Sequence, residues 1–221
     1  NTTLGINGLH KATVQKVNMD NNQRSNIGYL GRASYSYDDR YFFTGSYRRD
    51  GASVFGVNQK WGDFFAFGGA WRLSSEKFMS SISYLDDLKL KVSWGKNGNQ
   101  GLDPYGTLST INNGASGGVR YEFGGSDIIY GLNQKALGNA NLGWETTESW
   151  NTGFESAWLG SRLFVDLDLY FSKTTDQIFT RDIPVMTGFK NMKSSMGQVN
   201  NRGVELTIRS VNIRIGIGRR T

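Results

Sequence analysis

Alternation with a period of two, restarted segment after segment, constrains this chain more than any other feature. In Leu88-Lys89-Leu90-Lys91-Val92-Ser93-Trp94-Gly95 each apolar residue is followed by a polar or small one. Successive side chains of a strand point to opposite faces, so this segment is oily on one side and water-compatible on the other. The pattern holds over residues 27–37, where Ile27, Tyr29, Ala33, Tyr35 and Tyr37 oppose Gly28, Arg32, Ser34 and Ser36. After a turn at Asp38-Asp39-Arg40, Tyr41, Phe43 and Tyr47 oppose Thr44, Ser46 and Arg48. Residues 63–73 set Phe65, Phe67, Trp71 and Leu73 against Ala66, Gly68, Ala70 and Arg72. A later strand carries Trp144, Trp150, Phe154 and Trp158 on one face, and a turn at Leu159-Gly160-Ser161 leads to its partner. That partner sets Leu163, Val165, Leu167, Leu169 and Phe171 against Asp166, Asp168 and Ser172. A seventh strand carries Val204, Leu206 and Ile208, while Phe42, Phe64 and Tyr170 fall on the polar side.

The fold class that follows is all-β and antiparallel. Turns near residues 39, 80, 160 and 210 are compact, and the segments 51–61, 97–143 and 175–199 are long. Short and long connections therefore alternate, as in barrels whose two rims face different compartments. Ser74-Ser75-Glu76-Lys77 reads as a helix start and places one helical turn in the connection after residue 73. Asp50-Gly51 reads as a turn signal. A mean hydropathy of −0.45 does not oppose a membrane role, because only alternate residues of a barrel strand meet lipid. Closed barrels are the sheets that cross bilayers, since closure leaves no amide edge without a partner. The polar face holds mostly Gly, Ala, Ser and Thr, which would leave a narrow barrel hollow. Seven or eight strands cannot close a wide one. The expectation is an arc of a larger transmembrane barrel, with Tyr35, Tyr37, Tyr41 and Phe43 contributing to an aromatic rim.

Several chemistries are excluded. The chain has no Cys and a single histidine, His10, so thiol nucleophiles, thiolate metal sites and histidine triads have nothing to build on. No cofactor or metal is expected. Asp166 and Asp168 share a face about 6–7 Å apart, within the range of glycosidase carboxylate pairs, but a wet interior accounts for both. Glu145 and Glu148 have opposite parity. "GKNGNQG" at 95–101 lacks the Lys-Ser/Thr of a phosphate loop and reads as the base of an exterior loop. The net charge of +6 comes from dispersed Lys and Arg, so nucleic acid is not an expected partner.

"GRASYSYDDRYFFTGSYRRDGASVFG", "KWGDFFAFGGAWRLSSEKFM", "LDDLKLKVSWGKNGNQ", "LGNANLGWETTESWNTGFE" and "NNRGVELTI", in that order over residues 28–208, resemble the C-terminal half of SusC/RagA-type TonB-dependent outer-membrane transporters. The resemblance implies a 22-stranded barrel in the outer membrane of a Gram-negative bacterium, a plug, and a SusD-like surface lipoprotein as lid. It further implies import of oligosaccharides or peptides, driven by the TonB complex. On this reading residues 1–26 are a loop or strand end and residues 27–221 are partial barrel without the plug. The tail after Thr207, ending "VNIRIGIGRRT", departs from the family pattern. The alternative is a soluble all-β glycan-binding module, followed by a jelly-roll hydrolase using Asp166 and Asp168.

Two residue sets carry the functional expectation. Arg32, Arg48, Arg72, Lys89 and Lys91 would form a basic wall facing the lumen. That wall would pair with acids on a plug or attract anionic substrate. Trp61, Asn97, Asn99 and Tyr105 fall in the long segments, where they would contact a glycan or peptide.

Overall fold

The computed structural model describes residues 21–113, 120–121 and 129–212; His10 lies outside them. Four strands come first: β1 (Asn26–Tyr37), β2 (Tyr41–Ala52), β3 (Trp61–Arg72) and β4 (Leu85–Asn99). Short strands β5 (Thr110–Asn113), β6 (Arg120–Tyr121), β7 (Ile129–Tyr130) and β8 (Leu132–Ala136) follow. Then come β9 (Glu145–Trp158), β10 (Leu163–Thr175), β11 (Ile178–Asp182), β12 (Asn191–Ser195) and β13 (Gln198–Ser210). One seven-stranded antiparallel sheet has the order β1-β2-β3-β4-β9-β10-β13 and is open, with β1 and β13 at its edges. The remaining strands form two-stranded pairs, β5 with β8, β6 with β7 and β11 with β12.

Connections sort by end as the alternation demands. Residues 38–40, 73–84 and 159–162 join strands at one end, and 53–60, 100–144 and 176–197 at the other. The connection at 73–84 holds two 3-10 turns, Leu73–Ser75 and Lys77–Met79, in place of one helical turn. Asp50-Gly51 is not a turn: β2 runs on to Ala52, pairing Gly51 with Ile27 and with Trp61. Glycine is needed there for contact rather than curvature, because a Cβ would lie 2.9 Å from the Trp61 ring.

Register fixes the two faces. One row runs Tyr37, Tyr41, Trp71, Leu90, Phe154, Leu167, Leu206, and the next runs Tyr35, Phe43, Gly69, Val92, Thr152, Leu169, Val204. Between them on the opposite face runs Ser36, Phe42, Ala70, Lys91, Gly153, Asp168, Glu205. The apolar face is uncovered: Val204 is 67% exposed, Ile208 63% and Val92 48%. A contiguous oily surface of this extent marks contact with a partner or a membrane. Among the described residues the sheet holds no sandwich core of its own.

The upper limit of the oily band slopes across the sheet. The first charged residues on that face are Arg49 and Asp63, a cross-strand pair, then Lys96, Glu148 and Lys173, also in one row, then Arg202 opposite Phe171. The limit drops two residues between β3 and β4 and two more between β10 and β13. Four residues are about 13 Å along the strand and five strand intervals about 24 Å across, a slope of about 30°. Tilted barrel strands meeting a level water boundary produce such a slope.

The short-connection end is tied by a carboxylate. Tyr37, Tyr41 and Trp71 stack with centroids 6.5 and 6.1 Å apart. The Tyr41 hydroxyl and Trp71 Nε1 donate to Glu76 Oε1 at 2.8 and 3.1 Å, and Arg40 lies 3.5 Å from Oε2. The apolar bodies of the rings stay with the oily face while their polar tips reach water. These donors, Trp71 first and then Tyr41, hold the Glu76 carboxyl below the usual carboxylate range. A lowered folded pKa adds stability above the unfolded value, and that stability is lost as pH falls through the folded value. Unfolding midpoints of Glu76→Gln should therefore be lower than those of the parent at pH 7 and converge with them in acid. Parallel pH curves for the two proteins would refute the tie.

Candidate functional site

The polar face is a trough floored by small residues. Its central rows are Arg32, Ser46, Ala66, Gly95, Ser149, Ser172, Asn201 and Ser34, Thr44, Gly68, Ser93, Asn151, Tyr170, Gly203. Three adjoining hollows of about 560, 530 and 470 Å³ lie along it. The aromatic exceptions have local reasons. Tyr170 lies over Gly203, where a Cβ would be 2.5 Å from its ring, and Phe42 lies under the Arg72 guanidinium at 5.6 Å.

All five basic residues lie on this face, but they do not make a cationic wall. Lys89 Nζ sits 2.7 Å from Glu155 Oε2, and Lys91 Nζ bridges Glu155 at 3.2 Å and Asp168 at 2.9 Å. Arg72 faces Asp87 at 3.4 Å and Arg48 faces Asp50 at 2.7 Å. Arg32, on the edge strand, makes no ion pair among the described residues. Four of the five are thus answered by an acid one or two strands across or two residues along. Asp168 is thereby committed to Lys91, and Asp166 stands beside Glu155 in register. Among the described residues no group of acids or histidines is arranged to hold a metal.

The four expected contact residues separate. Trp61 is not in a loop: it opens β3 on the apolar face, stacked on Tyr29 at 6.4 Å with Arg49 over its ring at 5.3 Å. Asn97 and Asn99 are not loop residues either. They extend β4, opposite Thr147 and Glu145, on the polar face at the long-connection end. The Gly-rich "GKNGNQG" is strand through Asn99, because β9 supplies a ladder for it. Tyr105 alone lies in a connection, with a left-handed backbone at φ 62°.

The long connections are knitted into a cap, a feature absent from the expectation of loops. Ala52, Val54, Phe55, Phe64, Leu102, Leu142 and Trp144 form the buried cluster, with Phe55 2% and Leu142 0% exposed. Trp144, expected on the apolar face, instead packs Phe55 at 4.8 Å and Phe64 at 5.4 Å and donates Nε1 to the Lys60 carbonyl at 3.3 Å. Gly56 N donates to Leu142 O, Asn139 N to Thr107 O, and the Asn139 side chain to Lys193 O. Each connection is thus bonded to another. The misplaced parity of Phe64 was the one sequence signal of this cluster.

Where the cap meets the sheet, β3 and β4 part. Their pairing runs from Arg72↔Lys89 to Ala66↔Gly95 and stops, although both strands continue. The Phe64 ring fills the base of the wedge. A Cβ at Gly62 or Gly98, one on each strand, would fall 2.5 or 2.1 Å from its Cζ.

The family model described as TonB dependent receptor-like, beta-barrel, matches residues 2–218, running past the departure expected after Thr207. The TonB-dependent receptor SusC of Bacteroides thetaiotaomicron is 36% identical over 186 residues, covering 82% of this chain and 18% of SusC. A TonB-dependent receptor of Formosa agariphila is 34% identical over 188 residues, covering 84% of this chain and 18% of its own length. The RagAB peptide importer in its closed-closed state superposes with a TM-score of 0.74 at 26% identity, covering 86% of this chain and 20% of the RagAB chain. The chain thus spans about a fifth of the length of these relatives.

The cap and the sheet should unfold separately. Trp144→Ala removes a buried aromatic, a loss of about 3–5 kcal/mol confined to the cluster. Amide exchange should accelerate at 53–60 and 100–109 while β1–β3 keep their protection. Uniform acceleration, or none, would contradict a cap with its own core.

Proposed function

Because the chain belongs to the TonB dependent receptor-like β-barrel family, we propose that it supplies part of the wall and outer connections of a nutrient importer in the outer membrane of a Gram-negative bacterium. The observation that carries this reading is the uncovered apolar face backed by a polar trough, with the water boundary sloping as tilted strands require. The apolar face meets lipid. The polar face lines an aqueous interior, and the cap stands on the outer rim. Cargo is an oligosaccharide or a peptide, which passes without covalent change. Asn97 and Asn99 meet it from the wall and Tyr105 from the cap, while Trp61 belongs to the lipid-side aromatic rim. The ladder of paired charges gives the wall no net attraction for anions, so selection rests on hydrogen bonding and shape.

Two partners complete the reading. A SusD-like surface lipoprotein closes over the cap, and the TonB complex drives import through a region outside these 221 residues. A strain lacking the whole receptor should lose growth on either defined oligosaccharides or defined peptides as sole carbon source while keeping growth on their monomers. Restoration should require an energised TonB complex. Unchanged growth on every oligomer would overturn the proposal.

A further inference from the structure

Charges at the long-connection end of the apolar face are answered on one side of the sheet and unanswered on the other. On β2 and β3, Arg49 faces Asp63 at 3.8 Å and lies over the Trp61 ring at 5.3 Å. The Tyr47 hydroxyl donates to Asp63 Oδ1 at 2.6 Å. On β4, β9, β10 and β13 the boundary residues are Lys96, Glu148, Lys173 and Arg202, three cations to one acid. Glu148 accepts from Trp94 Nε1 at 2.7 Å. Among the described residues, Lys173 and Arg202 make no ion pair or side-chain hydrogen bond. Lys173 stands opposite Asn200, and Arg202 lies two residues along the same strand. The two cations are therefore diagonal neighbours about 7–8 Å apart. Beside them is a hollow of about 530 Å³, lined by Glu148, Trp150, Phe171, Lys173, Asn200 and Arg202. The rings of Trp150 and Phe171 are each 52% exposed. Asn200 Oδ1 accepts from Gln198 Nε2 at 3.1 Å, which leaves the Asn200 side-chain nitrogen to donate.

We propose that this hollow binds the phosphate of an acylated glycolipid in the outer leaflet, held by Lys173 and Arg202 with its acyl chains against Trp150 and Phe171. The inference rests on the reading above, in which the apolar face meets lipid and the cap stands outermost. Three features select this ligand. Two unpaired cations at the edge of hydrocarbon call for an anion. The guanidinium offers parallel donors to phosphate oxygens while the ammonium adds a point charge. Below Arg202 the same face of β13 continues with Val204, Leu206 and Ile208, all more than half exposed. From Arg202 to Ile208 is six residues, about 20 Å of strand, against a hydrocarbon core about 30 Å thick. The ligand is thus anionic at its head and apolar for a long way beneath it, which describes an acylated phosphate and not a free anion. Basic pockets at a membrane boundary hold anionic headgroups on the same grounds. Glu148 does not oppose this, because it is tied to Trp94 and stands on the far side of β10 from Arg202. The outer leaflet of a Gram-negative outer membrane supplies such a lipid, a phosphorylated glucosamine disaccharide carrying several acyl chains.

The test uses the whole receptor, immobilised in detergent, with radiolabelled lipid A, the same lipid stripped of phosphate, and inorganic phosphate as competitor. Lipid A should bind about tenfold or more tightly than its stripped form. Inorganic phosphate in millimolar excess should not displace it, because the chains contribute to the hold. Lys173→Gln combined with Arg202→Gln should weaken lipid A by about tenfold or more without moving the melting temperature. Arg49→Gln, at the same boundary but already facing Asp63, should leave binding within about twofold. Equal binding of the two lipids, displacement by inorganic phosphate, or undiminished binding by the double variant would each overturn the site. Import separates the two readings, since Lys173 and Arg202 face away from the trough. A receptor that imports its oligomer yet holds both lipids alike keeps the import function and loses this site. One that imports no oligomer loses the import function, while the two lipids still decide the site.

Discussion

Backbone hydrogen bonding without water is the constraint from which the rest follows. In hydrocarbon no solvent satisfies a free amide, so each strand must be paired by its neighbours along its whole immersed length. The seven-stranded meander does this from β2 through β10, with each strand neighbouring the one before it in the sheet. Once the ladder is imposed, the side chains need only suit their two solvents. The sheet therefore has no interior of its own, and large residues such as Phe67, Trp150 and Leu206 stand exposed in rows. Between β3 and β4 the ladder ends at Ala66 and Gly95, at the cap end and next to Lys96, the first charged residue of the apolar face on β4.

The same division governs charge. Lys89, Lys91 and Arg72 on the polar face are answered by Glu155, Asp168 and Asp87 within hydrogen-bonding or ion-pair reach. Partly exposed pairs of this kind add little stability each. Their effect is on the field, because neighbouring opposite charges cancel within a few ångströms. A wall that reads as basic residue by residue is close to neutral as a surface. Small residues between the pairs keep the trough open, and hydroxyls and carboxamides give it hydrogen-bonding capacity without a charge preference.

Much of this was legible in the sequence, because the period of two is enforced by lipid over every strand. Strand order, the facing of Leu88 to Trp94, the sorted connections and the presence of all five basic residues on one face follow from it. What was not legible depended on neighbours in space. Asp50-Gly51 looks like a turn until Trp61 needs the room above Gly51. Asn97 and Asn99 look like loop until β9 offers a ladder, and Trp61 looks like loop until Tyr29 stacks on it. Trp144 keeps the parity of the apolar face yet turns into the cap, because Phe55 and Phe64 make a pocket that no local pattern announces. The acids that neutralise the basic residues lie as far as 77 positions away in sequence.

The central claim is that β4 separates lipid from water with alternate residues. Single nitroxide labels are placed at each position from 88 to 95 in the membrane-embedded receptor, residues 1–221 contributing no other thiol. Collision with oxygen should peak at 88, 90, 92 and 94, and collision with a water-soluble nickel chelate at 89, 91, 93 and 95. The two profiles should be out of phase by one residue. Profiles that rise and fall together, or labels at 88, 90, 92 and 94 shielded from both reagents, would contradict the account.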